Sequence, residues 1–129
     1  MEFGYSFCYY IYYMLRVINS FKFAISGLWH AINSQTNFQI QVIIAAVAVV
    51  SAYILEFQQT EWLILIITIA LVLAGELVNT VIEVVVDLAV QEKLVPEAKI
   101  AKDVSAATVL LISLFAIAIG IILFVPHFR

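Results

Sequence analysis

Three long apolar stretches dominate the pattern of hydrophobic and polar positions along this chain. They run from about 38 to 55, from about 62 to 90 and from about 104 to 125. A helix needs about 20 mostly apolar residues to cross the hydrocarbon core of a bilayer, and the first stretch is near that minimum. Polar segments separate them, a short turn at 56–61 and a loop at 91–103. The pattern therefore predicts three membrane-spanning helices.

A less uniform segment, residues 9–33, precedes these stretches. Arg16, Asn19, Lys22 and Ser26 interrupt apolar residues there, and tyrosines cluster at its beginning. Bulky aromatic residues mixed with scattered basic ones are typical of a helix that lies in the membrane interface. A cleaved signal peptide is the alternative for the first fifteen residues, but the usual basic start and a clear small-residue cleavage site are missing. We predict an amphipathic interfacial helix that the protein retains.

The composition changes the picture by excluding a soluble domain. Hydrophobic residues make up 65% of the 129 residues and charged residues 12%, whereas soluble domains have about half and about a quarter. The chain is too short for two domains, so we predict a single membrane-embedded, all-α domain over 1–129. Its single cysteine, Cys8, excludes an internal disulfide. No phosphate-binding loop of the Walker type is present.

The distribution of basic residues predicts how the helices are oriented. Arg16 and Lys22 lie in the N-terminal segment, and the loop before the third stretch carries three lysines. The turn at 56–61 carries only acidic charges. Basic loops tend to remain in the cytoplasm. We therefore expect a multi-pass protein of the cell inner (plasma) membrane, with its N-terminus in the cytoplasm and its C-terminus outside.

Four polar residues share one face of the second apolar stretch: Glu76, Asn79, Glu83 and Asp87. At 100° per residue they fall within an arc of roughly 80°. An ionisable group at membrane depth costs about 2.5–3.5 kcal/mol on insertion scales. Three carboxylates on one face therefore need a cation, a partner or water. Two explanations of this polar face are open. One is a purely structural, hydrogen-bonded contact between subunits, and the other is a functional site.

The residues of this face, together with a second motif, resemble a known family. The two motifs are Glu76-x-x-Asn79-Thr80-x-Ile82-Glu83-x-x-x-Asp87 and Ala98-Lys99-x-Ala101-Lys102-Asp103. The chain resembles the small integral-membrane prokaryotic lipid kinases, which are the diacylglycerol kinases and the similar undecaprenol kinases. The resemblance implies a homotrimer of three-span subunits, each with a surface helix. It also implies an ATP- and Mg²⁺-dependent site near the cytoplasmic interface that more than one subunit completes.

The requirements of phosphoryl transfer suggest a role for each residue of the polar face. The reaction must deprotonate a hydroxyl, neutralise a triphosphate with Mg²⁺ and align the two. Glu76 lies deepest, where apolar surroundings should favour proton uptake, so we expect it to be the general base. Glu83, nearer water, is a hard oxygen ligand suited to Mg²⁺. Asn79 can bridge the two by hydrogen bonds without adding charge.

Further polar residues near the cytoplasmic side are candidates for nucleotide binding. Lys102 and Lys99 could steady the phosphates, while Asp87, Glu92 and Asp103 could contact the nucleoside or orient those lysines. The resemblance assigns similar roles to the matching positions. We expect a membrane lipid and ATP as partners, and no nucleic acid.

The chain also departs from the family pattern. The resemblance places a second Mg²⁺-binding glutamate at the position of Gln35, where this chain has an uncharged amide. An amide oxygen can contact Mg²⁺ but contributes no charge, and affinity for hard cations depends on the number of charged ligands. The usually charged positions that follow are Gln39 and Gln41 here, and the usual Tyr-His pair of the loop is missing.

Three functions from different classes remain open at this point. The preserved acidic motif favours phosphorylation of a lipid alcohol, either diacylglycerol or undecaprenol. The neutral Gln35 favours a catalytically inactive member of the family that serves as a structural subunit of a larger membrane complex. Buried carboxylates also mark ion or proton pathways. An inverted repeat and an intramembrane basic partner, which would support a pathway, are both missing.

Overall fold

The fold is known from a computed structural model, which describes residues 2–91 and 95–128, with side chains from residue 12 onward. In these ranges the chain is helical and has no strand. The helices are α1 (Glu2–Ser34), α2 (Thr36–Ile54), α3 (Gln59–Val90), α4 (Pro96–Phe124) and a short 3₁₀ helix (Val125–Phe128). Three helical segments, Thr36–Ile54, Gln59–Val90 and Pro96–Phe128, are long and apolar enough to cross a membrane. The prediction of an all-α protein with three membrane-spanning helices is confirmed.

The chain divides into two compact units, and α1 forms the first. Its polar side chains bond to their own helix, as when the Ser20 hydroxyl donates to the carbonyl of Arg16 at 2.9 Å. Large apolar side chains such as Phe21, Phe23 and Trp29 are exposed. Exposed aromatic side chains are compatible with a helix at a membrane surface. The interfacial position of α1 stays a prediction.

The second unit begins at Gln35 and contains the three candidate spans. Helix α3 packs against both α2 and α4. A capping box begins α3, because the Gln58 backbone N–H donates to the Glu61 carboxylate at 2.7 Å and the Gln58 side chain accepts from the backbone of Glu61. Such boxes satisfy backbone donors that a helix start leaves unpaired. Only residues 55–58 separate α2 from α3, and this short connection makes the two helices antiparallel neighbours.

The connection between α3 and α4 differs from the sequence-based expectation. The chain leaves α3 at Gln91, which adopts a left-handed conformation (φ 49°), and α4 begins at Pro96. Proline is favoured in the first helical turn because its missing N–H is not needed there. The predicted loop is therefore wrong for residues 96–103. Lys99, Lys102 and Asp103 lie in the first turns of a helix.

Few of the side chains that the structure describes are buried within a single chain. The main apolar cluster lies at the end of the bundle opposite the polar face and includes Ala52, Phe57, Leu65 and Leu123. Many other large apolar residues on all three helices are exposed. A helix that is apolar all round requires apolar surroundings, which a bilayer or neighbouring subunits can provide. The polar residues buried against this background are therefore exceptional.

Candidate functional site

Glu76 is the most deeply buried ionisable side chain that the structure describes, with 3% of its surface exposed. Its carboxylate oxygen Oε2 accepts a hydrogen bond from Nε2 of Gln41 on α2, at 3.1 Å. The Thr80 hydroxyl donates to the backbone carbonyl of Glu76 at 3.0 Å. Burying a carboxylate is expensive unless hydrogen bonds stabilise it. The contact with Gln41 therefore links α2 and α3 at the polar centre of the bundle.

Asn79 and Glu83 form the next pair along the same face of α3. The Asn79 amide nitrogen donates to Oε1 of Glu83 at 3.0 Å. Asn79 is 5% exposed, and its Oδ1 is buried without a hydrogen-bond partner among the described residues. An unsatisfied buried acceptor costs about 1–3 kcal/mol. The Asn79 oxygen is therefore suited to receive a hydrogen bond, a water molecule or a cation from outside the chain.

Asp87 and Lys102 form the outermost pair and connect α3 to α4. The Lys102 ammonium nitrogen lies 2.6 Å from Oδ1 of Asp87, and the two side chains are 37% and 60% exposed. Exposed ion pairs contribute about 0–1 kcal/mol to stability. The pair therefore does little for the fold. Its lysine remains accessible to an anionic group that approaches from water.

Together these pairs form a column of polar contacts along α3. Its exposure rises from the buried Glu76 and Asn79, through the half-buried Glu83, to the exposed Asp87. The column spans about 16 Å along the helix axis, at 1.5 Å per residue. The polar face predicted from the sequence thus lies inside the bundle at one end and reaches the surface at the other.

The remaining residues predicted for the site lie near the exposed end of this column or outside the described residues. Lys99 and Asp103 are exposed in the first turns of α4, close along the chain to Lys102. Glu92 lies outside the described residues.

Gln35 caps the N-terminus of α2 with its backbone carbonyl, which accepts from the N–H of Gln39 at 3.0 Å. Because α2 and α3 are antiparallel and Gln41 contacts Glu76, moving six residues from Gln41 to Gln35 corresponds to moving six residues from Glu76 toward Glu83. Both steps cover about 9 Å along a helix. Gln35 therefore lies at about the same height in the bundle as Glu83.

The polar column offers only part of the ligand set that a bound metal requires. Among the described residues, no three His, Cys, Asp or Glu side chains converge as a metal site. Mg²⁺ is usually held by one or two carboxylates together with substrate phosphates and water rather than by a complete protein cage. The half-buried Glu83 beside the unpaired Asn79 oxygen fits such a site.

A groove of about 340 Å³ lies between α2, α3 and α4. Its walls are apolar, and small residues such as Ala45, Ala48, Ala116 and Gly120 create the space. Gln41 is the first of the α2 residues that line it. Since the same side chain bonds to Glu76, the groove adjoins the buried carboxylate.

Gln41 is the residue that sequence reasoning missed. By sequence its uncharged side chain is a departure from the family pattern, yet it provides the hydrogen bond to Glu76. The available signal was a polar residue inside an otherwise apolar span. That signal does not reveal which partner the residue meets, because the two positions are 35 residues apart.

Comparison with known proteins identifies the class that this fold and site define. The profile of the family described as "Prokaryotic diacylglycerol kinase" matches residues 22–124. This match covers most of the chain, so the chain belongs to the prokaryotic diacylglycerol kinase family. The family resemblance predicted from the two motifs is confirmed.

Individual relatives carry two different names. The chain is 33% identical over 111 residues to an undecaprenol kinase of Bacillus subtilis. The aligned region covers 86% of this chain and 89% of that relative. It is 36% identical over 111 residues to a diacylglycerol kinase of Synechocystis, covering 86% of this chain but 63% of that relative. A diacylglycerol kinase of Haemophilus influenzae is 31% identical over 74 residues, covering 57% of this chain and 63% of that relative.

Proposed function

We propose that this protein phosphorylates a membrane lipid alcohol, diacylglycerol or undecaprenol, using ATP and Mg²⁺ at the cytoplasmic interface. The family and the names of the relatives support a lipid kinase. The observation that carries the proposal is the polar column of α3. It joins a buried carboxylate, where a lipid hydroxyl can arrive, to the partly exposed Lys102, where a nucleotide can arrive.

The proposed reaction uses Glu76 as the general base. Its carboxylate takes the proton as the hydroxyl O–H bond of the lipid breaks. The lipid oxygen forms a bond to the γ-phosphorus of ATP, the bond from that phosphorus to the β–γ bridging oxygen breaks, and ADP leaves. A positioned base of this kind contributes typically about 10²–10⁴-fold to a rate.

The nucleotide side of the proposed site lies toward the exposed end of the column. Glu83 would hold Mg²⁺, which supplies neutralisation of phosphate charge when bound. The equal height of Gln35 and Glu83 supports a role for the Gln35 amide oxygen as a second, weaker ligand. Lys102 and Lys99 would steady the phosphates, and Asn79, Asp87, Glu92 and Asp103 would complete the nucleotide site.

The groove beside Gln41 supports a lipid rather than a soluble alcohol as acceptor. It provides an apolar surface that leads to Glu76, and its volume is within the range of about 300–1,000 Å³ that ligand sites occupy. A homotrimer in the inner membrane, with its N-terminus in the cytoplasm, belongs to the same proposal. It is supported by the many exposed apolar residues. It is also supported by the described residues of one chain, in which no three His, Cys, Asp or Glu side chains converge on a metal site.

The decisive test measures phosphate transfer from labelled ATP to diacylglycerol or undecaprenol in mixed micelles containing Mg²⁺. We expect transfer by the natural protein and a loss of about 10²–10⁴-fold in Glu76→Gln, because the amide cannot accept the proton. Glu56→Gln is the matched control, since Glu56 is an exposed acid in the distant α2–α3 turn. Absence of transfer to every lipid alcohol would refute the proposal.

A second candidate function is that of a catalytically inactive subunit of a larger membrane complex. The uncharged Gln35 favours it, because a lost carboxylate weakens Mg²⁺ binding. This candidate predicts that the protein copurifies in fixed ratio with other membrane proteins and transfers no phosphate.

The Gln35 position has a test of its own within the kinase proposal. We expect Gln35→Glu to lower the Mg²⁺ concentration that gives half the maximal rate, because it adds a charged oxygen ligand at the height of Glu83. Gln58→Glu, in the distant α2–α3 turn, should leave this concentration unchanged. An unchanged Mg²⁺ requirement in Gln35→Glu would remove Gln35 from the metal site.

A further inference from the structure

The hydrogen bond between Gln41 and Glu76 places an amide group directly on the buried carboxylate of the proposed base. Gln41 belongs to α2 and Glu76 to α3, and the bond from Nε2 to Oε2 measures 3.1 Å. Glu76 is 3% exposed, so water has little access to this carboxylate. The orientation of the buried carboxylate therefore depends on the amide that contacts it.

The oxygen of the Gln41 amide is the second feature that bears on its role. Its Oε1 is buried and has no hydrogen-bond partner among the described residues. A glutamine amide carries a donor at one end and an acceptor at the other, and rotation about its last bond exchanges them. Nε2 can thus donate to a carboxylate, and Oε1 can accept from the same group once it carries a proton. Neither a leucine nor a glutamate that stays ionised can do both.

We propose that Gln41 is a positioning residue that hydrogen-bonds Glu76 in both of its protonation states. This inference rests on the proposed function, in which Glu76 takes the lipid proton. Before transfer, the Gln41 amide donates to the carboxylate and holds it toward the lipid hydroxyl. After transfer, the amide turns and accepts from the newly formed carboxylic acid, which satisfies its Oε1.

Within the described parts of α2, α3 and α4, few titratable side chains compete with Gln41 for this role. Helix α2 has no Asp, Glu, Lys, Arg or His between Thr36 and Ile54. On α3, Glu83 is held by Asn79. On α4 the charged side chains all lie in the first turns, namely Glu97, Lys99, Lys102 and Asp103. Of these, Lys102 is paired with Asp87. An uncharged amide is therefore the group that the structure places on Glu76.

The test combines kinetics with infrared spectroscopy of Glu76 in the full-length protein. In Gln41→Leu we expect kcat to fall about 10- to 100-fold, since a hydrogen bond to a charged group is lost, while KM for ATP changes less than about twofold. Ser51→Ala is the control on the same helix, because the Ser51 hydroxyl donates to Val47 within α2.

The infrared bands of Glu76, identified by their loss in Glu76→Gln, report its hydrogen bonds without requiring activity. We expect both the carboxylate band at high pH and the carboxylic-acid band at low pH to change frequency in Gln41→Leu, because Gln41 contacts both forms. Unchanged bands together with an unchanged kcat overturn the inference, even if the protein is an active kinase. If the natural protein transfers no phosphate, the proposed function fails, and bands unchanged in Gln41→Leu would then also exclude the contact between the two side chains.

Discussion

The contact between Gly75 and Ile112 determines how closely α3 and α4 can approach beside the buried Glu76. A Cβ atom added at Gly75 would lie 2.8 Å from Cδ1 of Ile112. Carbon atoms pack best at about 3.5–4.0 Å, so Ile112 would have to retreat by about 1 Å in Gly75→Ala. Overpacking of this kind costs about 1–3 kcal/mol, while replacing glycine by alanine within a helix contributes about 1 kcal/mol in the opposite direction. We expect the net change to be between about 0 and 2 kcal/mol of destabilisation.

Ile112→Val offers a direct control because it deletes the Cδ1 methyl group that the new Cβ would meet. In that background the overpacking disappears, and Gly75→Ala should stabilise the protein by about 1 kcal/mol. The double-mutant cycle should therefore give a coupling energy of about 1–3 kcal/mol. Gly120→Ala is a second control, because a Cβ there meets nothing within 4 Å.

Equilibrium unfolding in mixed micelles measures these free energies for the two single variants, the double variant and the control. Lipid phosphorylation by the same samples shows whether displacing α4 also disturbs Glu76. Additive effects of Gly75→Ala and Ile112→Val would refute the reasoning, since they would mean that the two positions are not in contact.

Two further predictions concern charged residues at opposite ends of the bundle. We expect Glu61→Ala to reduce stability by about 1 kcal/mol, because it removes the acceptor of the Gln58 backbone N–H from the capping box. Thermal unfolding should show a smaller loss for Glu61→Gln, which retains an acceptor. We expect Lys102→Met to change the free energy of unfolding by less than about 1 kcal/mol, since its pair with Asp87 is exposed, but to raise KM for ATP by about tenfold. A KM that stays at the natural value would mean that Lys102 does not contact the phosphates.

The start of α4 is marked in the sequence by a proline, which is a local signal for the beginning of a helix. Pro96 stands where α4 begins, and proline is favoured in the first turn of a helix. The polarity of Lys99 and Lys102, which follow it, favours a loop when only the apolar pattern is considered. They lie instead in the exposed first turns of the helix, where charged side chains are readily solvated.

The sequence alone determined the three long apolar helices, the polar face of α3 and the family. These features depend on local patterns: the length of an apolar run, and the period of about 3.6 residues that brings Glu76, Asn79, Glu83 and Asp87 to one face. Only the tertiary structure decided which side chains meet across helices, such as Gln41 with Glu76 and Gly75 with Ile112. The physical reason is that helical periodicity determines which residues share a face, whereas side-chain packing determines how two helices are rotated and aligned against each other.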